Sequence, residues 1–170
     1  MTKLAMVNPS VFSPDSDISF SDLINHPAHL IRRSYQIFLH CFDEAMSGLD
    51  LSPISWITIA ATHSFPGQSV TEIARRAGVD KASCGRTATA LAKRDLICIA
   101  KSESDGRLKV LTLTTRGERL YKEASGRVDR LKSLLLDDLN PNEHNQFIST
   151  LQTFVKASGK RTRPSIPTMY

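Results

Sequence analysis

The stretch from Ser69 to Gly117 constrains the fold more than any other, because capping, turn and strand signals follow one another there in a fixed order. Ser69-Val70-Thr71-Glu72 opens a helix: the Ser69 hydroxyl is placed to cap the backbone, and Glu72, three residues on, to reach back and complete a capping box. Ile73, Ala74 and Ala77 supply its buried face and Gly78 ends it. After a turn at Gly78-Val79, Asp80 is placed to cap a second helix running from about Lys81 to Arg94. Ala82, Ala88, Leu91 and Ala92 of that helix are expected to pack inward. Lys81, Ser83, Arg86, Thr87, Thr89, Ala90 and Lys93 are then left facing outward, a mixture that donates to base edges, donates to phosphates or fits against a thymine methyl.

A hairpin follows. Leu96 to Ala100 and Leu108 to Leu113 are apolar and β-branched, and Ser102 to Arg107 joins them through Asp105-Gly106, a hairpin turn signal. Arg107 stands near the tip. Taken alone it reads as a solvated turn charge beside Asp105; behind a helix-turn-helix, a cation on a protruding ribbon suits the negative potential of a narrow minor groove. Helix, turn, helix and charged hairpin together predict a winged helix-turn-helix, in a fold that is mainly α with a small β-hairpin, and double-stranded DNA as the partner.

Residues from about 30 to 136 resemble the MarR (multiple-antibiotic-resistance regulator) family of bacterial transcription factors. The resemblance rests on Leu51-Ser52-Pro53, on Val70-Thr71-Glu72-Ile73-Ala74 and on Gly78-Val79-Asp80-Lys81. It rests equally on Leu91-Ala92-Lys93-Arg94-Asp95-Leu96-Ile97, and on Asp105-Gly106-Arg107 followed by Leu113-Thr114-Thr115-Arg116-Gly117. Asp95 departs from the pattern, standing where the family usually has glycine; aspartate tolerates a left-handed backbone better than most residues, so the turn is expected to survive. Gly85, next to Cys84 inside the second helix, is also unusual. Glycine there costs roughly 1 kcal/mol of helix stability against alanine, which favours a role in close backbone approach to DNA. The resemblance implies a homodimer whose two recognition helices, roughly 34 Å apart, read a pseudo-palindromic operator in successive major grooves. It further implies a repressor that releases when a small molecule binds between the dimer helices and the DNA-binding lobe, which requires that the effector prefer the lobe spacing that does not fit DNA.

Charge is distributed as that reading requires. The chain has 170 residues and a net charge of +5, with 41% hydrophobic and 23% charged residues, enough for one compact core. Residues 1 to 69 carry three basic and six acidic side chains, net −3, and residues 70 to 109 carry nine basic and five acidic, net +4. Phosphate neutralisation needs that asymmetry. No run is long and apolar enough to cross a membrane and the polar start is no signal peptide, so a cytoplasmic location and no membrane partner are expected. Cys41, Cys84 and Cys98 show neither a Cys-x-x-Cys pair nor metal-ligand spacing, and the five histidines show no zinc pattern. Neither metal nor cofactor is expected. Cys41 and Cys98 read as small packing residues, with oxidant sensing through Cys41 or Cys84 as the alternative. A nucleophile with its base, paired carboxylates or a phosphate loop is absent, which speaks against an enzyme; a winged helix kept only for protein interaction is the stronger rival.

Outside the lobe the chain reads as long helices: about Asn25 to Gly48, one opened by Ser52-Pro53 and stopping near Phe65-Pro66-Gly67, one capped at Thr114 or with a Thr115-x-x-Glu118 capping box and continuing to Leu135, and one beginning at Asn140-Pro141-Asn142-Glu143. The expected organisation is a tail at 1–20, helical dimerisation segments at 21–50 and 114–159, the DNA-binding lobe at 51–113, and a basic tail at 160–170. Apolar positions on the outer helices exceed what one small domain can cover, so a twofold homodimer is expected. Arg32, Arg33, Gln36 and His40, with Trp56, lie where family pockets lie. A guanidinium suits a carboxylate and an indole suits an aromatic ring. The run His26-Pro27-Ala28-His29-Leu30-Ile31-Arg32-Arg33 is similar to a subgroup controlling breakdown of aromatic acids, which implies an aromatic carboxylate or its coenzyme A thioester as effector. Dimer salt bridges by the arginines and a core role for Trp56 are the alternative.

Overall fold

A computed structural model of the chain describes residues 18–102 and 106–158. The expected tails, apart from residues 18–20, and Asp105 of the hairpin turn lie outside the described residues. The chain divides into two compact units, residues 1–37 and 38–170. In the first, α1 (Phe20–Asn25) opens with a complete capping box: the Ser19 hydroxyl accepts from the Asp22 backbone N–H and the Asp22 carboxylate accepts from Ser19. The chain leaves α1 at His26, whose φ of −68° and ψ of 136° are extended, and re-enters a helix at Pro27. The helix entered there is the one expected at about Asn25 to Gly48, whereas the short α1 before it was not expected. Pro27 keeps the two apart, since the residue before a proline is pushed out of the helical region while proline itself is suited to a first helical turn. The new helix, α2 (Pro27–Ala45), runs on into the second unit.

The second unit holds α3 (Pro53–Ser64), β1 (Gln68–Ser69), α4 (Val70–Ala77), α5 (Lys81–Lys93), β2 (Ile97–Lys101), β3 (Lys109–Leu113), α6 (Thr115–Ser125), α7 (Val128–Leu136) and α8 (Pro141–Ser158). The two helices of the helix-turn-helix form where the caps predict. Ser69 accepts from the Glu72 N–H, Gly78 closes α4 at φ +64°, and Asp80 accepts from the Ser83 N–H at 2.9 Å. Ser52 likewise caps α3, with Pro53 in its first turn. Phe42, Ile59, Ile73, Leu91, Leu96 and Leu111 are almost wholly buried and bring α2, α3, α4, α5 and the sheet into one core. Burial of each such side chain is worth about 1.5–3 kcal/mol, well above what any one cap contributes.

Among the described residues the sheet has three strands rather than two, in the order β1-β3-β2, all antiparallel. Two-residue β1 pairs Gln68 with Leu111 and Ser69 with Val110, too short a run for any alternating pattern to reveal. Further corrections follow from geometry. The helix expected to run from Thr114 to Leu135 breaks at Gly126-Arg127, where Arg127 turns its guanidinium onto the Ser47 carbonyl and the Glu123 carboxylate. Neither expected carboxylate half of a capping box forms in this unit: Glu72 is held by Arg75 and Arg76, and the Glu118 carboxylate accepts from His63 Nδ1 at 2.9 Å. Thr114, not Thr115, caps α6. Ala82 is exposed, because the buried stripe of α5 is Cys84, Ala88 and Leu91, and a residue two before Cys84 lies about 200° around the helix. Cys98, expected to pack, is exposed on β2 opposite Thr112, since strand side chains alternate and Ile97 takes the inward place.

Candidate nucleic-acid interface

Asp95 sits at φ +57°, the left-handed conformation that the turn between α5 and β2 demands. Its carbonyl accepts from the Thr114 hydroxyl at 2.6 Å, so the strained residue is tied to the cap of α6. That brace fixes the β2–β3 ribbon relative to α5.

Of the residues expected to face a groove, Lys81, Arg86, Thr89, Ala90 and Lys93 are exposed and Ser83 and Thr87 half-buried. Arg86 donates from one guanidinium nitrogen to the Ser83 hydroxyl at 2.9 Å, which orients it and leaves other donors for a base or phosphate. Thr89 donates to the Gly85 carbonyl at 2.9 Å. Arg107 is exposed on the wing. Between α5, the start of α4 and the wing lies an open groove of roughly 600 Å³. Its lining brings together Lys81, Arg86, Thr89 and Arg107 with Gly85, expected to allow close approach to DNA, with Ser69, Val70 and Thr71, expected only to open α4, and with Ile99, Leu108 and Lys109, for which no DNA-facing role was expected. Among the described residues lining it, four are cations and none is an acid.

The charge of the wing is held against local stability. Lys101 and Lys109 are exposed and directly opposite in the β2–β3 register, and facing like charges destabilise a strand pair. An acidic polymer laid along the ribbon relieves that repulsion. The sequence signal for Lys109 was available, two lysines flanking a hairpin turn symmetrically, but it needs the register to be read.

The cations of α4 are differently employed. Arg75 grips Glu72 through Nε at 2.9 Å and a terminal nitrogen at 2.6 Å, while Arg76 reaches the same carboxylate at 2.9 Å and lies over the Phe65 ring, 3.8 Å from its centroid. Among the described residues Lys81, Arg86 and Lys93 form no salt bridge. The Arg75 hydrogen bond leads the effects that hold the Glu72 carboxyl down, from its ordinary 4.5 to about 2. A depressed folded-state value means that the contribution of Glu72 to stability is complete above pH 4.5 and is lost as the pH falls toward 2. A carbon-detected NMR titration should therefore place the Glu72 midpoint near 2, and Glu72→Gln should flatten the stability profile between those two values. A midpoint at the ordinary value would show the arginines released in solution. The Asp80 carboxyl is also lowered, first by the Ser83 backbone N–H it caps.

The residues expected to hold an effector fall in both units. Arg32 and Arg33 converge on Gln36, whose Oε1 accepts from them at 2.9 and 3.4 Å. His40 is exposed in the second unit. Trp56 is half-buried, stacked on Tyr121 with ring centroids 5.7 Å apart, and Tyr121 in turn stacks on His63 at 3.8 Å. One face of the indole is thus covered by protein. Cys84 is wholly buried, which pushes its thiol up and away from the reactive thiolate. Among the described residues no group of three or more His, Cys, Asp or Glu side chains could hold a metal ion, and no helix is long and apolar enough to cross a membrane.

The MarR family model matches residues 49–108, which contain the groove apart from Lys109. Over a longer span the structure is similar to the PcaV transcriptional regulator from Streptomyces coelicolor, solved in complex with its natural ligand. Identity is 26%, the match covers 83% of this chain and 99% of that one, and the TM-score is 0.75. It is similar to the repressor CouR bound to a 23-mer DNA duplex, at 24% identity over 82% of this chain and 99% of that one, with a TM-score of 0.73. BpsR of Bordetella bronchiseptica, whose DNA binding is regulated by 6-hydroxynicotinic acid, matches at 22% identity over 82% and 97%, with a TM-score of 0.74. At their identities CouR and BpsR speak for the fold alone.

Proposed function

With a MarR-family domain at residues 49–108, inside a winged-helix fold that PcaV shares along almost its whole length, we propose that this protein is a cytoplasmic transcriptional repressor. It binds a pseudo-palindromic duplex operator as a homodimer and is released by a small anionic aromatic effector. The observation that carries this reading is the groove between α5 and the wing, with four cations and no acid among its described lining residues. Duplex DNA is the ligand whose charge and shape it fits. The same observation disfavours a winged helix kept only for protein contacts, which would gain nothing from facing lysines on the ribbon. Relatives of this fold are regulators, so we read a binding protein rather than an enzyme.

Apolar side chains support the homodimer. Phe147, Ile148, Leu151, Phe154 and Val155 of α8 are exposed, as are Phe20, Leu23, Leu30 and Ile31 in the first unit, and patches of that kind mark association surfaces. The functional division then follows: residues 21–50 and 114–159 join the protomers and 51–113 meet DNA. Support for the effector class comes from Arg32 and Arg33, whose shared Gln36 holds two guanidinium groups side by side, an arrangement suited to a carboxylate or phosphate. PcaV was solved with its natural ligand and CouR of Rhodococcus jostii RHA1 with p-coumaroyl-CoA, and BpsR responds to 6-hydroxynicotinic acid. No observation favours the thiol-sensing reading, with Cys84 buried and its thiol raised.

The test selects duplexes from a randomised pool with the wild-type protein, then follows anisotropy against salt and against benzoate-type acids and their coenzyme A thioesters. A linear fall of log affinity with log salt is expected, together with release by at least one acid or thioester. Arg32→Ala or Arg33→Ala should abolish release and leave duplex affinity intact. The two side chains leave the helix about 100° apart, so one variant should dominate. Failure to enrich any duplex would reject DNA binding, and failure of every ligand in both classes would reject the aromatic effector.

A further inference from the structure

Gly85 occupies the fifth position of α5, where glycine costs helix stability relative to alanine. The fold does not require it. Its φ lies outside the left-handed region, and beyond its own helix and chain neighbours an added Cβ would meet one atom, Val70 Cγ1, at the ordinary contact distance of 3.9 Å. Gly85 lines the groove between α5 and the wing, beside Val70, Ala82 and Thr89. An alanine would therefore be accepted by the protein, and its methyl group would take up space in the groove.

We propose that Gly85 sets how deeply DNA enters the site: its missing side chain leaves room for one deoxyribose-phosphate strand to lie against the α5 backbone. The floor of the groove is small and apolar and its rim cationic, through Lys81, Arg86, Arg107 and Lys109. That pairing matches a sugar, with its hydrocarbon face, seated between two phosphates. A strand held away from the floor also holds the duplex away from Arg86, so one methyl group at position 85 weakens contacts on both sides of the groove. Glycine is thus retained at a cost in helix stability because it meets the ligand, and Gly85 is a determinant of affinity that carries no charge and no donor of its own.

The inference rests on the DNA reading above and is tested beside it, with wild type, Gly85→Ala and Gly85→Leu measured on one duplex selected by wild type from a randomised pool. Gly85→Ala should raise Tm by about 2–4 °C while lowering duplex affinity at least about tenfold. Gly85→Leu should lower affinity further. Both variants should show a shallower salt dependence than wild type, because a displaced strand loses cation contacts. Wild-type affinity in both variants would overturn the role of Gly85 while leaving DNA binding in place, and would leave a small anion as the better occupant. A lowered Tm in Gly85→Ala would also overturn it, by showing that the glycine serves packing. Wild type that enriches no duplex would overturn the DNA reading and this inference together.

Discussion

Gly117→Ala is expected to destabilise the protein by about 3 kcal/mol or more, among the largest effects of any single methyl group in this chain. Gly117 is buried in the first turn of α6, and a Cβ built there collides with the Leu96 carbonyl oxygen, sits 3.0 Å from the Leu96 carbonyl carbon and 3.4 Å from Leu113 Cβ. Relief would require the Leu96 backbone to move, and it is pinned. The Leu96 carbonyl accepts from the Thr114 N–H at 3.1 Å, the Leu96 N–H donates to the Leu91 carbonyl at 3.0 Å, and its side chain is 2% exposed in the core. The Thr114 hydroxyl, bonded to Asp95 and accepting from the Gly117 N–H, closes the same knot. Against this, alanine returns at most about 1 kcal/mol of helix propensity. Urea unfolding followed by circular dichroism decides the matter: a midpoint within error of wild type at equal slope would show that α6 can slide off the strand, and would remove the steric account of Gly117.

The same knot shows what the sequence makes legible and what it does not. Ser69, Gly78 and Asp80 act locally, each within four residues of the group it satisfies, and all three could be read in advance. Leu113-Thr114-Thr115-Arg116-Gly117 was recognisable as a family pattern, but the reason for its glycine lies at Leu96, more than a dozen residues back, and only the folded chain brings the two together. Glu72 and Glu118 fit a capping pattern, yet Arg75 with Arg76 and His63 offer charged or aromatic-stacked partners that win over a backbone N–H. Asp95 was read correctly because its demand is conformational and belongs to one residue. Cys98 was not, since its small apolar character suggests packing whereas the strand turns Ile97 inward and Cys98 outward. In the groove, Arg86 and Arg107 announced themselves by charge and Gly85 by its poor fit to a helix, whereas Lys109 matters through the lysine it faces.

Arg86→Ala should weaken binding to a selected duplex by about 1–3 kcal/mol and also relax the sequence preferred, because a side chain that reads a base edge contributes to discrimination as well as affinity. Geometry favours Arg86 for this role. It is exposed in the N-terminal half of α5, the part of a recognition helix that enters the major groove, and its bond to the Ser83 hydroxyl fixes its direction before DNA arrives. A guanidinium so held loses less side-chain entropy on binding and can engage a guanine through two donors. Lys93 stands at the last turn of the same helix, exposed and without a salt bridge among the described residues, where a flexible ammonium suits a phosphate. Lys93→Ala should therefore weaken all duplexes alike and reduce the salt slope by about one unit, with the preferred sequence unchanged. Arg107→Ala should fall between the two. A wing cation in a minor groove reads width rather than base identity, so its loss should cost about 1–3 kcal/mol and relax preference only in the flanking positions, where A·T-rich steps narrow the groove. Repeating the randomised-pool selection with each variant separates the three roles. An unchanged logo for Arg86→Ala, at reduced affinity, would make Arg86 a phosphate contact and leave sequence discrimination to Thr87, Thr89 and Ala90 through thymine methyls and hydroxyl contacts.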